Sequence, residues 1–131
     1  MSHRILVVDD DHDVSTLAQR VLGRAGYAVE TADRGAKALQ QIARESYDLI
    51  LLDINMPGMD GWEVLRILKA DPQTAGLPVA MFSVRGEVRE KVHGMQDGAL
   101  DYITKPVGVD ELPRRVAAIL ERPRAGVASG L

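Results

Sequence analysis

Five polar side chains stand where short apolar runs end. Asp9 and Asp10 follow Ile5-Leu6-Val7-Val8, Asp53 follows Leu49-Ile50-Leu51-Leu52, Ser83 follows Val79-Ala80-Met81-Phe82, and Lys105 closes Leu100 to Thr104. Such runs, bounded by turn residues and too short for helices, read as strands buried on both faces. If the strands are parallel, their carboxyl ends lie at one edge, where open α/β sheets bind ligands. Three carboxylates gathered there repel: at 4 Å and an effective dielectric near 20, each pair costs roughly 4 kcal/mol. Either one is protonated or a cation sits among them. Hard oxygen donors, with no cysteine and no strand-end histidine, favour Mg²⁺ over zinc or copper. Mg²⁺ is held by a few carboxylates, with waters and phosphate oxygens completing its shell. The cluster thus predicts a phosphoryl-handling site, with Lys105 and Ser83 available to the phosphoryl oxygens.

Each residue alone has a plainer reading. Asp53 is a turn residue before Pro57-Gly58, Asp11 and Asp13 favour a helix start, Ser83 suits a turn, and Lys105 is a solvated lysine. Their joint occurrence at successive strand ends is what argues for chemistry. The acids from Asp9 to Asp13 imitate a calcium loop, but Val14 and Arg20 stand where its glycine and bidentate glutamate belong. No glycine-rich phosphate loop or nucleophile elbow occurs, and His3, His12 and His93 lack zinc-ligand spacing.

The intervening segments must position these ends. Asp13 is expected to cap a helix carrying Val14, Leu17, Ala18, Val21 and Leu22, which Gly26 stops. Ala28 to Thr31 reads as a more polar edge strand. Ala36 to Ser46 reads as a helix with Ala38, Leu39, Ile42 and Ala43 inward. A third helix starts near Asp60 and ends before Pro72, and a fourth is expected from about Glu87 to Gln96, with Val88, Val92 and Met95 inward. Asp110 to Glu121 closes the fold with Leu112, Val116, Ile119 and Leu120 inside, and Pro113 sits harmlessly in its first turn. Five strands alternate with five helices, which argues a doubly wound parallel sheet. Spacing alone does not fix the strand order.

The 131 residues suit one domain with a single sizeable core. A net charge of −3 gives no basic footprint, so direct nucleic-acid binding is not expected. The absence of cysteine excludes a disulfide framework, and no apolar run approaches a signal core or a membrane span. The expected location is the cytoplasm, with no membrane association.

The stretches Ile5-Leu-Val-Val-Asp-Asp-Asp11, Asp48-Leu-Ile-Leu-Leu-Asp-Ile-Asn-Met-Pro-Gly-Met-Asp-Gly61, Ser83 and Asp101-Tyr-Ile-Thr-Lys-Pro106 together make a specific signature. It resembles the receiver domains of two-component response regulators, the CheY-like family, over residues 4 to about 121. The resemblance implies a flavodoxin-like fold of strand order 2-1-3-4-5 with five helices. It implies that Asp53 is the phospho-acceptor for a phosphohistidine on a histidine kinase or phosphotransfer protein. Mg²⁺, or Mn²⁺, would be ligated by Asp10, Asp53 and the backbone carbonyl of Asn55, and by Asp9 through water. Lys105 would pair with the acceptor and then with the phosphoryl group, behind a cis bond to Pro106. Ser83 would bond the phosphoryl group while Tyr102 turns inward, changing the face made by the Glu87–Gln96 helix, the last strand and the last helix. Such a switch is no enzyme beyond its own phosphorylation and dephosphorylation.

One departure stands beside Ser83. The family commonly has alanine next, and here it is Val84, whose bulk is expected to restrict small phosphodonors and water. Arg85 and Asn55 occupy positions that tune dephosphorylation. Lys91 with Glu111 and Asp101 with Arg115 resemble the charge pairs of one dimerising subfamily, implying a homodimer across that face. Two alternatives are a Mg²⁺-dependent phosphatase with an aspartyl-phosphate intermediate and a degenerate receiver that only binds partners. Residues 1–122 are expected to be the receiver and 123–131 a tail or linker stub, either of a single-domain regulator or of a receiver cut from a longer protein. The downstream output partner is not legible.

Overall fold

Parallel strands cannot be joined by tight hairpins, so a parallel sheet needs crossover connections between its strands. A computed structural model of the protein describes residues 3–84 and 98–122. The elements run β1 (Arg4–Val8), α1 (His12–Arg24), β2 (Ala28–Ala32), α2 (Gly35–Arg44), β3 (Leu49–Leu52), α3 (Gly61–Ala70), β4 (Val79–Val84), β5 (Asp101–Lys105) and α4 (Glu111–Leu120). The sheet is wholly parallel, in the order β2-β1-β3-β4-β5. The expectation of five helices is corrected: among the described residues there are four. The helix expected from about Glu87 to Gln96 lies outside the described residues.

Strand alternation sorts the apolar side chains into two cores. Ile5, Val7, Leu49, Leu51, Ala80, Phe82 and Ile103 pack under Ala18 and Leu22 of α1 and Leu112, Val116 and Ile119 of α4. Leu6, Val8, Ile50, Leu52, Met81 and Tyr102 face Ala38 of α2 and Val64, Leu65 and Leu68 of α3. At roughly 1.5–3 kcal/mol for each large side chain fully buried, these two layers are the main force holding the strand ends in register.

Local signals set the boundaries, and some differ from the sequence reading. Asp11, rather than Asp13, caps α1, accepting hydrogen bonds from the backbone N–H groups of Asp13 and Val14. The apolar stripe of α1 starts late enough that either aspartate fits the pattern; the cap is decided by which side chain meets the N–H groups two and three residues further on. Leu17, one of the apolar residues at helical spacing, is 53% exposed, because α1 meets the sheet along Ala18 and Leu22. Ala43 is exposed as well, one residue before α2 ends at Arg44, the buried residues of that helix being Gly35 and Ala38. Asp60 and Glu63 form a reciprocal capping box that starts α3. Ser83 lies within β4 rather than past its end, because pairing with β5 extends to Val84 opposite Lys105.

Candidate functional site

β1 and β3 are hydrogen-bonded neighbours at the middle of the sheet, so the residues after them emerge side by side. Asp53 N–H donates to the Val8 carbonyl at 2.9 Å, which locks the end of β3 to the end of β1. Asp9, Asp10 and Asp53 consequently bring carboxylate oxygens within 4.8 Å of one another. Asp9 and Asp53 are buried, while Asp10 is exposed at the rim. Beyond Asp53 the chain is pinned by alternation: Ile54 and Met56 are buried in the α2–α3 core, and Asn55 between them faces solvent.

Lys105 closes the constellation from β5. Its ammonium donates to Asp9 Oδ2 and lies 3.5 Å from Asp53 Oδ1. Asp9 Oδ1 accepts from the Asp11 N–H at 2.9 Å, so both Asp9 oxygens are engaged by the protein. Asp53 Oδ1 accepts from the Ile54 N–H at 2.9 Å. Among the described residues, one ammonium therefore serves two buried carboxylates, with a third at the rim. Burial, opposed by Lys105 and reinforced by the charge of Asp9, pushes Asp53 up to about 6. The three oxygen donors fit a hard divalent cation, which would offset the same repulsion.

Other expected residues fall around this cluster. Ser83 is buried, and the β4–β5 register puts it on the same sheet face as Thr104 and, diagonally, Tyr102. The Lys105–Pro106 peptide is cis. Val84 is 60% exposed and lines an apolar surface cavity of about 320 Å³ with Leu17, Val21, Val107 and Val109, bordered by the Lys105 side chain. Arg115 bonds Asp101 at 3.2 Å and lies 3.9 Å from Glu111, all within one chain. Arg85 and Lys91 lie outside the described residues.

Two residues matter that sequence reasoning passed over. At Gly61, the first residue of α3, a Cβ would stand 2.2 Å from the Asp53 carbonyl oxygen and 2.8 Å from Ile54 Cα. Its own N–H donates to the Ile54 carbonyl at 2.8 Å, so α3 starts against the backbone that carries Asp53. The glycine was visible, but its packing partner comes from a tertiary approach. The other is Phe82, whose ring lies under the Lys105 ammonium, 5.0 Å from centroid to nitrogen.

Comparison with known proteins agrees over the same span. A model of the response regulator receiver domain family matches residues 5–117. The chain is 41% identical over 119 residues to the DNA-binding dual master transcriptional regulator RpaA of Synechocystis, covering 91% of this chain and 49% of that protein. It is 43% identical over 124 residues to response regulator MprA of Mycobacterium tuberculosis, covering 95% of this chain and 53% of that one. The chain thus spans about half the length of these curated relatives. Among solved structures, the Francisella response regulator 1452 receiver domain superposes with a TM-score of 0.84 at 33% identity, covering 92% of this chain and 98% of that one.

Proposed function

The chain belongs to the response regulator receiver family, a phospho-accepting signalling domain, and from that premise we propose that Asp53 is its phospho-acceptor. The observation that carries the assignment is the contact set of Asp53: buried, 3.5 Å from the Lys105 ammonium, and grouped with Asp9 and Asp10. The Ile54 N–H fixes the carboxylate, and Lys105 stands where a second anionic group arriving at Asp53 would meet a cation.

In the proposed reaction a carboxylate oxygen of Asp53 forms a bond to phosphorus as the donor's N–P bond breaks. The bonding pair leaves with the donor's imidazole, which takes a proton from water. Asp10, Asp53 and the Asn55 carbonyl would hold Mg²⁺. Asp9, with both oxygens already engaged, would contribute through a water. When bound, the cation supplies charge neutralisation for the carboxylates and for the transferring phosphoryl group. Lys105 then shifts from the carboxylates toward the phosphoryl oxygens, and Ser83, on the sheet face of Tyr102, supplies the hydroxyl that couples the site to β5.

The donor we infer is a histidine kinase or phosphotransfer protein. The apolar cavity around Leu17, Val84 and Val109 borders Lys105 and offers such a protein a docking surface beside the reacting carboxylate. The two-fold pairing through Asp101 and Arg115 would exchange a bridge that already exists within each chain, so it adds little to the energy of a dimer.

Incubation with phosphoramidate and Mg²⁺, followed by intact-mass measurement, tests the assignment. The protein should gain about 80 Da as a base-labile group, the added charge of about −1.5 to −2 being the signal. Asp53→Asn should gain nothing. Equal incorporation by Asp53→Asn would overturn it.

A further inference from the structure

Lys105 carries a long, flexible side chain whose ordering costs rotamer entropy if nothing holds it. Two of the groups holding it are carboxylates, Asp9 and Asp53. A further one among the described residues, the Phe82 ring, is uncharged. Phe82 and Lys105 share a sheet face: Val84 stands opposite Lys105 and Phe82 opposite Ile103, so the ring is the diagonal neighbour of the lysine. The ammonium sits 5.0 Å from the ring centroid, inside the range in which a cation is attracted to an aromatic face. The ring itself has little freedom. It is 3% exposed and belongs to the core that Ala18 of α1 and Leu112 of α4 complete.

We propose that Phe82 is a positioning residue that pre-orders the Lys105 ammonium for the arriving phosphoryl group. The inference rests on the reading of Lys105 as the cation that meets that group. The physical argument is one of charge. A third carboxylate under the lysine would hold it as well, but would add negative charge to a site that must accept a phosphoryl group. An aromatic face attracts the cation through its quadrupole and brings no net charge. It also competes less with the phosphoryl oxygens than a carboxylate would, so the ammonium can swing from Asp9 and Asp53 without first becoming free. A leucine at position 82 would fill much of the same core volume and leave the lysine to its two acids.

Phe82 is the only phenylalanine among the 131 residues, so the test can be made by biosynthetic replacement of phenylalanine throughout the chain. Ring fluorination weakens the quadrupole with little change of volume. Protein carrying mono-, di- and trifluorinated phenylalanine, alongside Phe82→Leu, is titrated with beryllofluoride and Mg²⁺ and labelled with phosphoramidate. Affinity and labelling rate should fall stepwise with fluorination, to about five-fold at the trifluorinated ring (~1 kcal/mol). Phe82→Leu should lose at least as much. Independently, the Lys105 ε-methylene protons should resonate upfield through the ring current and return toward ordinary lysine positions in Phe82→Leu. Should that variant fail to fold, the fluorinated series and the wild-type resonances carry the test. A rate and affinity insensitive to fluorination, or unshifted Lys105 protons, overturns the role of Phe82 while labelling of the unmodified protein still supports Asp53. No labelling of the unmodified protein would instead remove the acceptor reading beneath it.

Discussion

The two ends of the same central strands handle charge in opposite ways. At the amino end, Arg4 of β1 bonds Glu30 and Glu45 and lies 5.0 Å over the Tyr47 ring. Tyr47 donates to Glu30 Oε1 at 2.7 Å, and the Arg4 N–H donates to Asp48 Oδ2 at 2.7 Å. Each charge there has an opposite or hydrogen-bonding partner, and most remain partly in water. At the carboxyl end, one lysine faces two buried aspartates with a third acid at the rim. The amino end spends its polar groups on tying α2, β1 and β2 together. Among the described residues, the carboxyl end leaves a deficit of positive charge, which a divalent cation and a phosphoryl transfer can use. A sheet can therefore keep its register at one end while tolerating electrostatic strain at the other, because the two cores between them fix the strands.

The largest effect should come from removing the clearance behind the acceptor. Gly61→Ala puts a methyl group 2.2 Å from the Asp53 carbonyl oxygen, a contact that only backbone movement can relieve. Denaturant unfolding should show a loss of about 3 kcal/mol, and labelling should fall with it. A loss under about 1 kcal/mol would mean that the acid end has slack the contrast does not allow.

Next in size is the charge deficit itself. Asp53 titrates near 6 in the fold and near 3.8 when unfolded, so folding favours its protonated form. Below about pH 4 the group is protonated in both states and adds no difference. As pH rises from 4 to 6 the wild type loses stability, and above 6 the full cost of about 2–3 kcal/mol remains. Asp53→Asn should therefore be more stable than wild type by that amount at pH 7, with the gap closing below pH 4. Mg²⁺ should narrow the gap at pH 7. A wild type as stable as Asp53→Asn at pH 7 without Mg²⁺ would show that Lys105 alone compensates the cluster.

At the other end, Tyr47→Phe should cost about 1–2 kcal/mol for the lost hydrogen bond to Glu30. Burial and the Glu30 carboxylate push Tyr47 up to about 12, against about 10 in the unfolded chain. Wild type should lose stability relative to Tyr47→Phe as pH rises from 10 to 12, whereas no comparable difference should arise between pH 4 and 7. Both responses are losses as pH rises, but the amino end's comes only where Tyr47 ionises, above pH 10, whereas the carboxyl end's is complete by neutral pH; that difference in window separates a compensated end from a deficient one.

How much of this was legible follows from which interactions are local. The acid cluster was, because alternation and strand length place Asp9, Asp10, Asp53 and Lys105 at one edge once the strands are parallel. The strand order came from the resemblance, since spacing leaves it open. The cap at Asp11, the exposure of Leu17 and the length of β4 were not legible, because each depends on how closely a helix or a partner strand approaches. Gly61 and Phe82 belong to the same class: ordinary residues in the sequence, given a role only by a neighbour distant along the chain.

The smallest expected effect concerns Val84, which is exposed where it lines the apolar cavity. Val84→Ala should change stability by less than about 0.5 kcal/mol, yet raise the rate of labelling by acetyl phosphate if its bulk restricts small donors. An unchanged rate would confine the control of access to the acids and Lys105.

The most direct test of the central claim, that the charge-deficient end of the sheet accepts the phosphoryl group on Asp53, is to locate that group. Protein labelled with phosphoramidate and Mg²⁺ is reduced with borohydride, which converts an aspartyl phosphate to homoserine, and its peptides are sequenced by mass spectrometry. Homoserine at position 53, absent when Mg²⁺ is withheld, is the predicted result. Homoserine at position 9 or 10, or a phosphoryl group that survives on Asp53→Asn, would contradict it.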